Sequence, residues 1–166
     1  MANATIAQVL AAANGEIVGR VRLQKIVYLL EQLGLGSGFR YSYHHYGPYS
    51  EDLFVAAQKE EFLEKTITEA ISPSNYGGTY SVFKLVNGIQ PTHVGCLEAD
   101  KARESTSKMM KVNSVVLELA ATIHWLKEKE HISDWKNELA RRKPSKASQS
   151  NVEQAETLLV NLGLAA

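Results

Sequence analysis

The spacing of apolar residues in the first 90 positions constrains the fold most, because it changes from a helical to an alternating period. Helical stripes in IAQVLAA and LQKIVYLLEQL each end at a glycine and predict two helices. The aromatic FRYSYHHY predicts an extended segment, which Gly47 and Pro48 are expected to break before a third helix over residues 49–64. EKTITEAI and TYSVFKLV then alternate around the turn-forming SPSNYGG, which predicts a hairpin.

The second half is predicted to be helical. A heptad pattern predicts one long helix over about residues 105–130, and a second stripe, opened by a Ser150/Glu153 capping box and closed by Gly163, predicts a helix that packs on it. A short helix is expected from Ser133 or Asp134 to Pro144, and KPSKASQSN is expected to be a mobile polar loop. The apolar positions of the two stripes are Met109, Val112, Val116, Leu119, Ile123 and Leu126, and then Val152, Ala155, Leu159 and Leu162.

Together these elements predict an α+β, mostly helical fold in a single domain, 1–166. Three helices followed by a hairpin is the order of a winged helix, so residues 1–90 are predicted to be winged-helix-like and residues 91–166 to form packed C-terminal helices. If the last helix does not cover the heptad stripe, we expect a homodimer through the helix 105–130.

Charge and cysteine content narrow the functional classes. Eighteen basic and eighteen acidic side chains balance, so no net field attracts nucleic acid or an anionic membrane. Cys96 is the only cysteine, which excludes an intramolecular disulfide and a multi-cysteine zinc site and favours a reducing compartment. No secretion signal and no apolar run of about 18 residues is present, so we expect a cytoplasmic protein that does not span a membrane.

No residue pattern predicts catalysis, a metal site or a cofactor. His44 and His45 are neighbours on an extended segment and point to opposite faces, so they do not share one ion, and His124 and His131 are interpreted as surface or interface residues. Cys96 with His93 is the one pair that merits naming as a dyad, although lone cysteines are mostly small buried residues. The glycines match no nucleotide-binding motif, so the chain is predicted not to be an enzyme.

Nucleic acid remains the main alternative to a protein partner. The third predicted helix is acidic, which disfavours contact with phosphates through it. Two basic patches are left, one at the start of the second helix and one near the end of the chain, where cations at a helix C-terminus are an equally simple explanation. The candidate nucleic-acid-binding residues are Arg20, Arg22, Lys25, Arg141, Arg142 and Lys143, with Lys146 nearby.

The motifs GRVRLQKIVYLLEQLG and YHHYGPYSEDL resemble the paired motif of a bacterial and phage group that includes the Panacea (SocA-like) antitoxin domains, the YwgA-like proteins and the C-terminal part of DarG-type antitoxins. The similarity is best over residues 19–65, and the final RRKPSKASQSNVEQAETLLVNLGL is similar to YwgA-like tails. The chain lacks the Ala-Trp that usually precedes Tyr-Gly-Pro in Panacea domains, which places it nearer the YwgA or DarG members.

The resemblance implies a non-enzymatic module that docks a partner protein, such as a toxin, and in some members regulates transcription. The leading prediction is therefore an adaptor or antitoxin-type protein, and a DNA-binding winged-helix regulator is the alternative. Within the motif, Gln24, Lys25 and Tyr28 are expected on the exposed side of the second helix. The candidate partner-binding residues are Gln24, Lys25, Tyr28, Tyr46, Pro48 and Tyr49.

Overall fold

The computed structural model describes residues 5–165 and confirms an α+β fold that is mostly helical, with 52% of residues in helices and 17% in strands. The predicted three helices and trailing hairpin are present in that order. The elements of the first half are α1 (Ile6–Ala12), β1 (Glu16–Val18), α2 (Arg20–Gln32), β2 (Ser42–His44), β3 (Gly47–Tyr49), α3 (Glu51–Lys59), a π-helical turn (Glu60–Glu64), β4 (Ile67–Pro73) and β5 (Thr79–Leu85).

Local chemistry explains where these helices begin and end. Thr5 and Gln8 form a capping box at the start of α1, and Ser50 Oγ accepts the N–H of Leu53 at the start of α3. After α2 the chain turns at Gly34, whose φ of +109° is a conformation that glycine adopts easily and other residues rarely do. The predicted ends of the first two helices are confirmed.

The Gly-Pro pair does not open a helix. Gly47 and Pro48 belong to β3, where Pro48 pairs with Tyr43 across a short antiparallel hairpin, and α3 begins only at Glu51. Proline fits β3 because a strand of this small two-stranded sheet needs no donor from that position. The prediction that Gly-Pro breaks the extended run was therefore wrong, and the aromatic segment is one arm of a hairpin.

The three-stranded sheet has the order β1-β5-β4, and β1 was missed because three residues carry too little pattern to predict a strand. Its inner face puts Ile17, Phe83 and Ile67 in the core, each at most 3% exposed. The outer edge of β4 is protected, since Glu61 accepts the N–H of Glu69 at 2.7 Å and Pro73 has no N–H to offer.

Glu60, at the start of the π-helical turn, reaches into the core and caps α1. Its carboxylate accepts the N–H groups of Ile6 and Ala7 at 2.7 and 2.9 Å, where the helix dipole favours negative charge. Burial raises the pKa of Glu60, and those two N–H groups oppose the rise. The same turn leaves Phe62 and Leu63 on the surface, at 67% and 75% exposure.

The second half contains a small β-hairpin and four helices. The elements are β6 (His93–Val94), β7 (Leu97–Glu98), α4 (Ala99–Met110), α5 (Ser114–Glu128), α6 (Trp135–Arg142) and α7 (Gln149–Leu162). The β6–β7 hairpin was not predicted. The short α6 and the closure of α7 at Gly163 are confirmed, but the cap of α7 is Ser148, two residues before the predicted Ser150.

The predicted long helix over 105–130 is two helices. The chain leaves α4 after Met110, and Asn113 then starts α5 by accepting the N–H of Val116 at 2.9 Å. A heptad pattern that continues across a turn does not reveal this break, because Met109 and Val116 pack into the same core from separate helices.

The heptad stripe is covered within the chain. The helix α7 packs on α5 as predicted, and Val116 and Leu119 are both 0% exposed. The condition under which a homodimer through this stripe was predicted, an uncovered stripe, is therefore not met at Val116 and Leu119. Within residues 5–165, no helix combines the length and the hydropathy that crossing a membrane demands.

Candidate functional site

The β2–β3 hairpin is held against α2 by two side chains of the Leu-Gln-Lys motif. Gln24 bonds the backbone of Ser50 twice, since its Nε2 donates to the carbonyl oxygen at 2.9 Å and its Oε1 accepts the N–H at 2.9 Å. Lys25 Nζ donates to the carbonyl oxygen of Pro48 at 2.6 Å. Because Gln24 and Lys25 are only 5% and 1% exposed, these bonds are shielded from water and fix the end of the hairpin.

The turn of the hairpin is held by a second set of contacts, an ionic cluster around Glu118. Lys143 Nζ donates to the carbonyl oxygen of His45 at 2.8 Å and to Glu118 at 2.8 Å. Lys146 reaches the other carboxylate oxygen of Glu118 at 2.9 Å. The loop after α6, predicted to be mobile, is thus anchored to α5, because a carboxylate as buried as Glu118 requires cationic partners.

Close packing against α5 completes the hairpin's environment. A Cβ at Gly47, where φ is +91°, would lie 2.5 Å from Thr122 Oγ1, so only glycine permits this approach. Tyr28 and His124 share a hydrogen bond of 2.8 Å, and the ring of Tyr41 packs edge-on against Tyr28. Burial raises the pKa of Tyr28 and lowers the pKa of His124, so this pair stays neutral at physiological pH.

The pKa of Lys25 is strongly lowered by its surroundings. Burial lowers the pKa of its ammonium to about 8, since removing a charge from water is costly. Glu118 raises that pKa, whereas Lys143 and Lys146 lower it. Glu118 itself bonds Lys143 and Lys146.

An apolar cavity of about 320 Å³ opens between α2, the hairpin and α3. Leucine and phenylalanine side chains form much of its wall, and tyrosines of the hairpin stand beside them. The residues that line it are Arg20, Val21, Leu23, Gln24, Lys25, His44, His45, Tyr46, Tyr49, Leu53, Phe54, Ala57, Gln58, Glu69 and Phe83. This volume is at the lower end of the range for ligand pockets.

Several polar groups at the cavity are already paired with one another. Arg20 Nε donates to Glu69 at 2.6 Å, and its guanidinium carbon lies 5.4 Å from the centre of the Phe54 ring. His44 stacks on Tyr49 with ring centres 4.7 Å apart. The ammonium of Lys25 has three N–H groups, and the described residues give it one acceptor, Pro48.

The exposure predicted for the motif residues was wrong for Gln24, Lys25 and Tyr28, which are at most 5% exposed. Each of them bonds to a polar group from another part of the fold, which a helix pattern cannot reveal. Pro48 is also buried, whereas Tyr46 is 47% exposed and Tyr49 is half-buried. Four of the six predicted partner-binding residues line the cavity: Gln24, Lys25, Tyr46 and Tyr49.

The basic residues proposed to contact nucleic acid are largely engaged within the chain. Arg142 bonds both oxygens of Glu130 at 2.8 Å and also Glu138, which Arg141 contacts as well. Arg22 donates to a backbone carbonyl of α4 at 3.2 Å. Lys25 and Lys143 are buried, and Arg20, although 55% exposed, is paired with Glu69, so much of the charge of both patches is engaged within the chain.

Among the residues that the structure describes, no hydrogen bond joins Cys96 to a histidine. Cys96 is exposed, not buried as lone cysteines usually are, and His93 contacts Thr92 at 3.3 Å. His131 is exposed, whereas His124, interpreted from the sequence as a surface or interface residue, is buried and bonds Tyr28 within the chain. Within residues 5–165, no three His, Cys, Asp or Glu side chains are grouped to hold a metal ion.

One feature of the sequence indicates buried polar contacts at this site. Glu118 and His124 lie in SVVLELAATIHW, an almost continuous apolar run that predicts a helix buried on all sides. A charged or polar residue in such a helix needs a buried partner, and both have one. The identity of those partners, Lys143 and Tyr28, depends on the tertiary fold.

No family model matches this chain. A segment of 46 residues is 45% identical to the uncharacterised protein YwgA of Bacillus subtilis (strain 168). The match covers 28% of this chain and 28% of YwgA, so it spans little more than a quarter of either protein. It supports the YwgA-like part of the predicted resemblance over that segment.

Proposed function

We propose that this chain is a non-enzymatic protein-binding module that docks a partner through the face formed by the hairpin and the cavity beside it. The observation that carries the proposal is the aromatic-lined apolar cavity next to a hairpin that is fixed at its turn and at its end. Aromatic anchors in rigid, desolvated pockets dominate binding at protein interfaces. A surface that is already ordered loses little conformational entropy on binding, which favours affinity.

The use of the polar side chains supports binding rather than catalysis. Gln24 and Lys25 bond the backbone of Ser50 and Pro48, and Glu118 bonds Lys143, which holds the turn of the hairpin. Catalysis by Cys96 requires a base within hydrogen-bond reach, and His93 instead contacts Thr92. The module acts, on this proposal, as an adaptor in the cytoplasm.

A toxin is the partner that the resemblance to Panacea and DarG-type antitoxins favours. The similarity to YwgA over 46 residues supports only the broader group, so toxin neutralisation is the finer part of the proposal. A winged-helix-like DNA-binding regulator remains the second candidate, supported by the order of three helices and a hairpin. Internal pairing of its basic residues weakens that candidate, because counterion release requires accessible cations.

The proposal is tested by identifying a partner and mapping its contact. The tagged protein is purified from its host, co-purifying proteins are identified, and each is then produced pure and titrated against this chain by calorimetry. We expect a binary complex that Gln58→Trp weakens at least tenfold, since Gln58 is exposed and lines the cavity. Val55→Trp is the matched control, because Val55 is exposed on the same helix but does not line the cavity.

Two outcomes would overturn the proposal. One is binding that Gln58→Trp and Val55→Trp affect equally, which would place the interface elsewhere. The other is salt-dependent binding of random duplex DNA with no protein partner, which would favour the regulator. For a partner that arrests growth, co-expression with this chain shows directly whether the toxin is neutralised.

A further inference from the structure

Lys25 combines three properties that packing alone does not require. It is 1% exposed, it lines the apolar cavity, and its ammonium has one acceptor among the described residues, the Pro48 carbonyl oxygen at 2.6 Å. An ammonium group donates three hydrogen bonds when fully satisfied, and leaving donors unmatched in a buried site is unfavourable. Two N–H groups of Lys25 therefore lack an acceptor among the described residues.

The charge around Lys25 favours an anion. Lys143 and Lys146 both bond Glu118, which is the only carboxylate in the cluster and compensates one of their two charges. Lys25 bonds none of these groups, but Glu118 raises its pKa and Lys143 and Lys146 lower it, so all three act on its charge. Buried charges of one sign are stabilised by an opposite charge brought into the same low-dielectric region.

We infer that the cavity binds the apolar C-terminal residue of a partner protein, with its side chain against Leu23 and Leu53 and its terminal carboxylate on Lys25. This inference rests on the proposed protein-binding function and names the part of the partner that is recognised. The other charged pair at the cavity, Arg20 with Glu69, is internally neutralised and adds no second anion site.

The size of the cavity supports a chain end. A volume of about 320 Å³ accommodates one bulky residue and not a long segment. A single C-terminal residue carries an apolar side chain and a carboxylate on the same α-carbon. It can therefore pack against the apolar wall and bind the Lys25 ammonium at the same time. An apolar residue from the middle of a chain also packs against the wall, but it has no carboxylate for Lys25.

The test uses two probes that differ only in charge, N-acetyl-L-phenylalanine and its neutral amide. Binding of each probe is measured at pH 7 from the backbone N–H chemical shifts of the full chain. We expect the carboxylate to bind at least tenfold more tightly than the amide, with shifts at the residues that line the cavity. Lys25→Met is expected to reduce that ratio to within twofold. Gln58→Trp should abolish binding of both probes, whereas Val55→Trp should leave both unchanged.

Equal affinity of the parent protein for both probes would overturn the inference, as would shifts located away from the cavity. If Lys25→Met does not fold, the probe comparison in the parent and the Gln58→Trp result still decide the question. Two further probes distinguish a small free acid from the end of a protein chain as the ligand. They are 3-phenylpropionate and a pentapeptide that ends in phenylalanine. We expect the peptide to bind at least as tightly as N-acetyl-L-phenylalanine, and binding of 3-phenylpropionate alone would reject the chain end.

Binding experiments with the partner identified above distinguish the C-terminal inference from the proposed docking function. If that partner still binds Lys25→Met, or binds after its last residue is removed, the C-terminal inference fails while the docking function stands. If no partner is found but the carboxylate probe binds the cavity, the docking function fails and the site takes a small apolar acid.

Discussion

The stability of this protein is predicted to rise between pH 8 and pH 10 because of Lys25. Burial lowers the pKa of its ammonium from the ordinary 10.5 to about 8 in the folded chain. Between these values the unfolded chain holds the proton and the folded chain does not. Stability rises with pH wherever the unfolded state binds more protons, so raising the pH removes the cost of burying this charge.

The expected gain is about 2 kcal/mol between pH 8 and pH 10, since each pH unit above the folded pKa adds up to about 1.4 kcal/mol. Above pH 10 the trend reverses. Burial raises the pKa of Tyr28 and of Tyr41, so the unfolded chain loses these protons first and stability falls. We therefore expect a maximum near pH 10.

Urea unfolding at pH 7, 8, 9 and 10, compared between the parent and Lys25→Met, measures this directly. Between pH 8 and pH 10, the unfolding free energy of the parent should rise by about 2 kcal/mol more than that of the variant. Lys101→Met, which removes an exposed lysine of α4, is the control and should follow the parent. Parallel curves for the parent and Lys25→Met would refute the assignment of this titration to Lys25.

Three substitutions test the other contacts of the fold by urea unfolding at pH 7. Gly47→Ala should lose about 3 kcal/mol, because its Cβ meets Thr122 at positive φ, and a parent-like midpoint would contradict that close approach. Glu118→Gln should lose about 3 kcal/mol by leaving Lys143 without an anion, and a loss below about 0.5 kcal/mol would show that the cluster is solvated. Glu60→Gln should lose about 1 kcal/mol as the charged cap of α1 disappears, which an unchanged unfolding curve would disprove.

Elements with a long and regular apolar pattern were predictable from the sequence. The repeat in α2 and the alternation in β4 and β5 each extend over at least seven residues, so local pattern and burial agree. Ser50 before two acids is typical of a helix N-cap, and it caps α3 in the structure. Strands of two or three residues, such as β1 and β6, have no comparable signal.

The break between α4 and α5 shows what periodicity cannot determine. Residues on separate helices can continue one heptad pattern if both helices face the same core, as Met109 and Val116 do. The signal for a break was Asn113, whose side chain accepts the N–H of Val116 and favours a helix start. Asparagine is common on helix surfaces as well, so the tertiary contacts decide.

The site differed from expectation for a related reason. Gln24, Lys25 and Tyr28 are long and polar, and on average such residues are exposed. Their partners Ser50, Pro48 and His124 lie between 23 and 96 residues away along the chain. A sequence pattern reports on neighbours within a few turns, so it identifies these residues as special without showing that they point inward.

The choice of a lysine at position 25 connects stability with the proposed function. The hydrogen bond to Pro48 fixes the hairpin, but Gln24 and Lys143 already fix it at Ser50 and His45. A methionine would fill similar space without the cost of burying a charge, and well-packed apolar replacements of buried ions are often more stable. An ammonium that lowers stability and lines an open apolar cavity is explained if it binds an anion there, which is the role we propose.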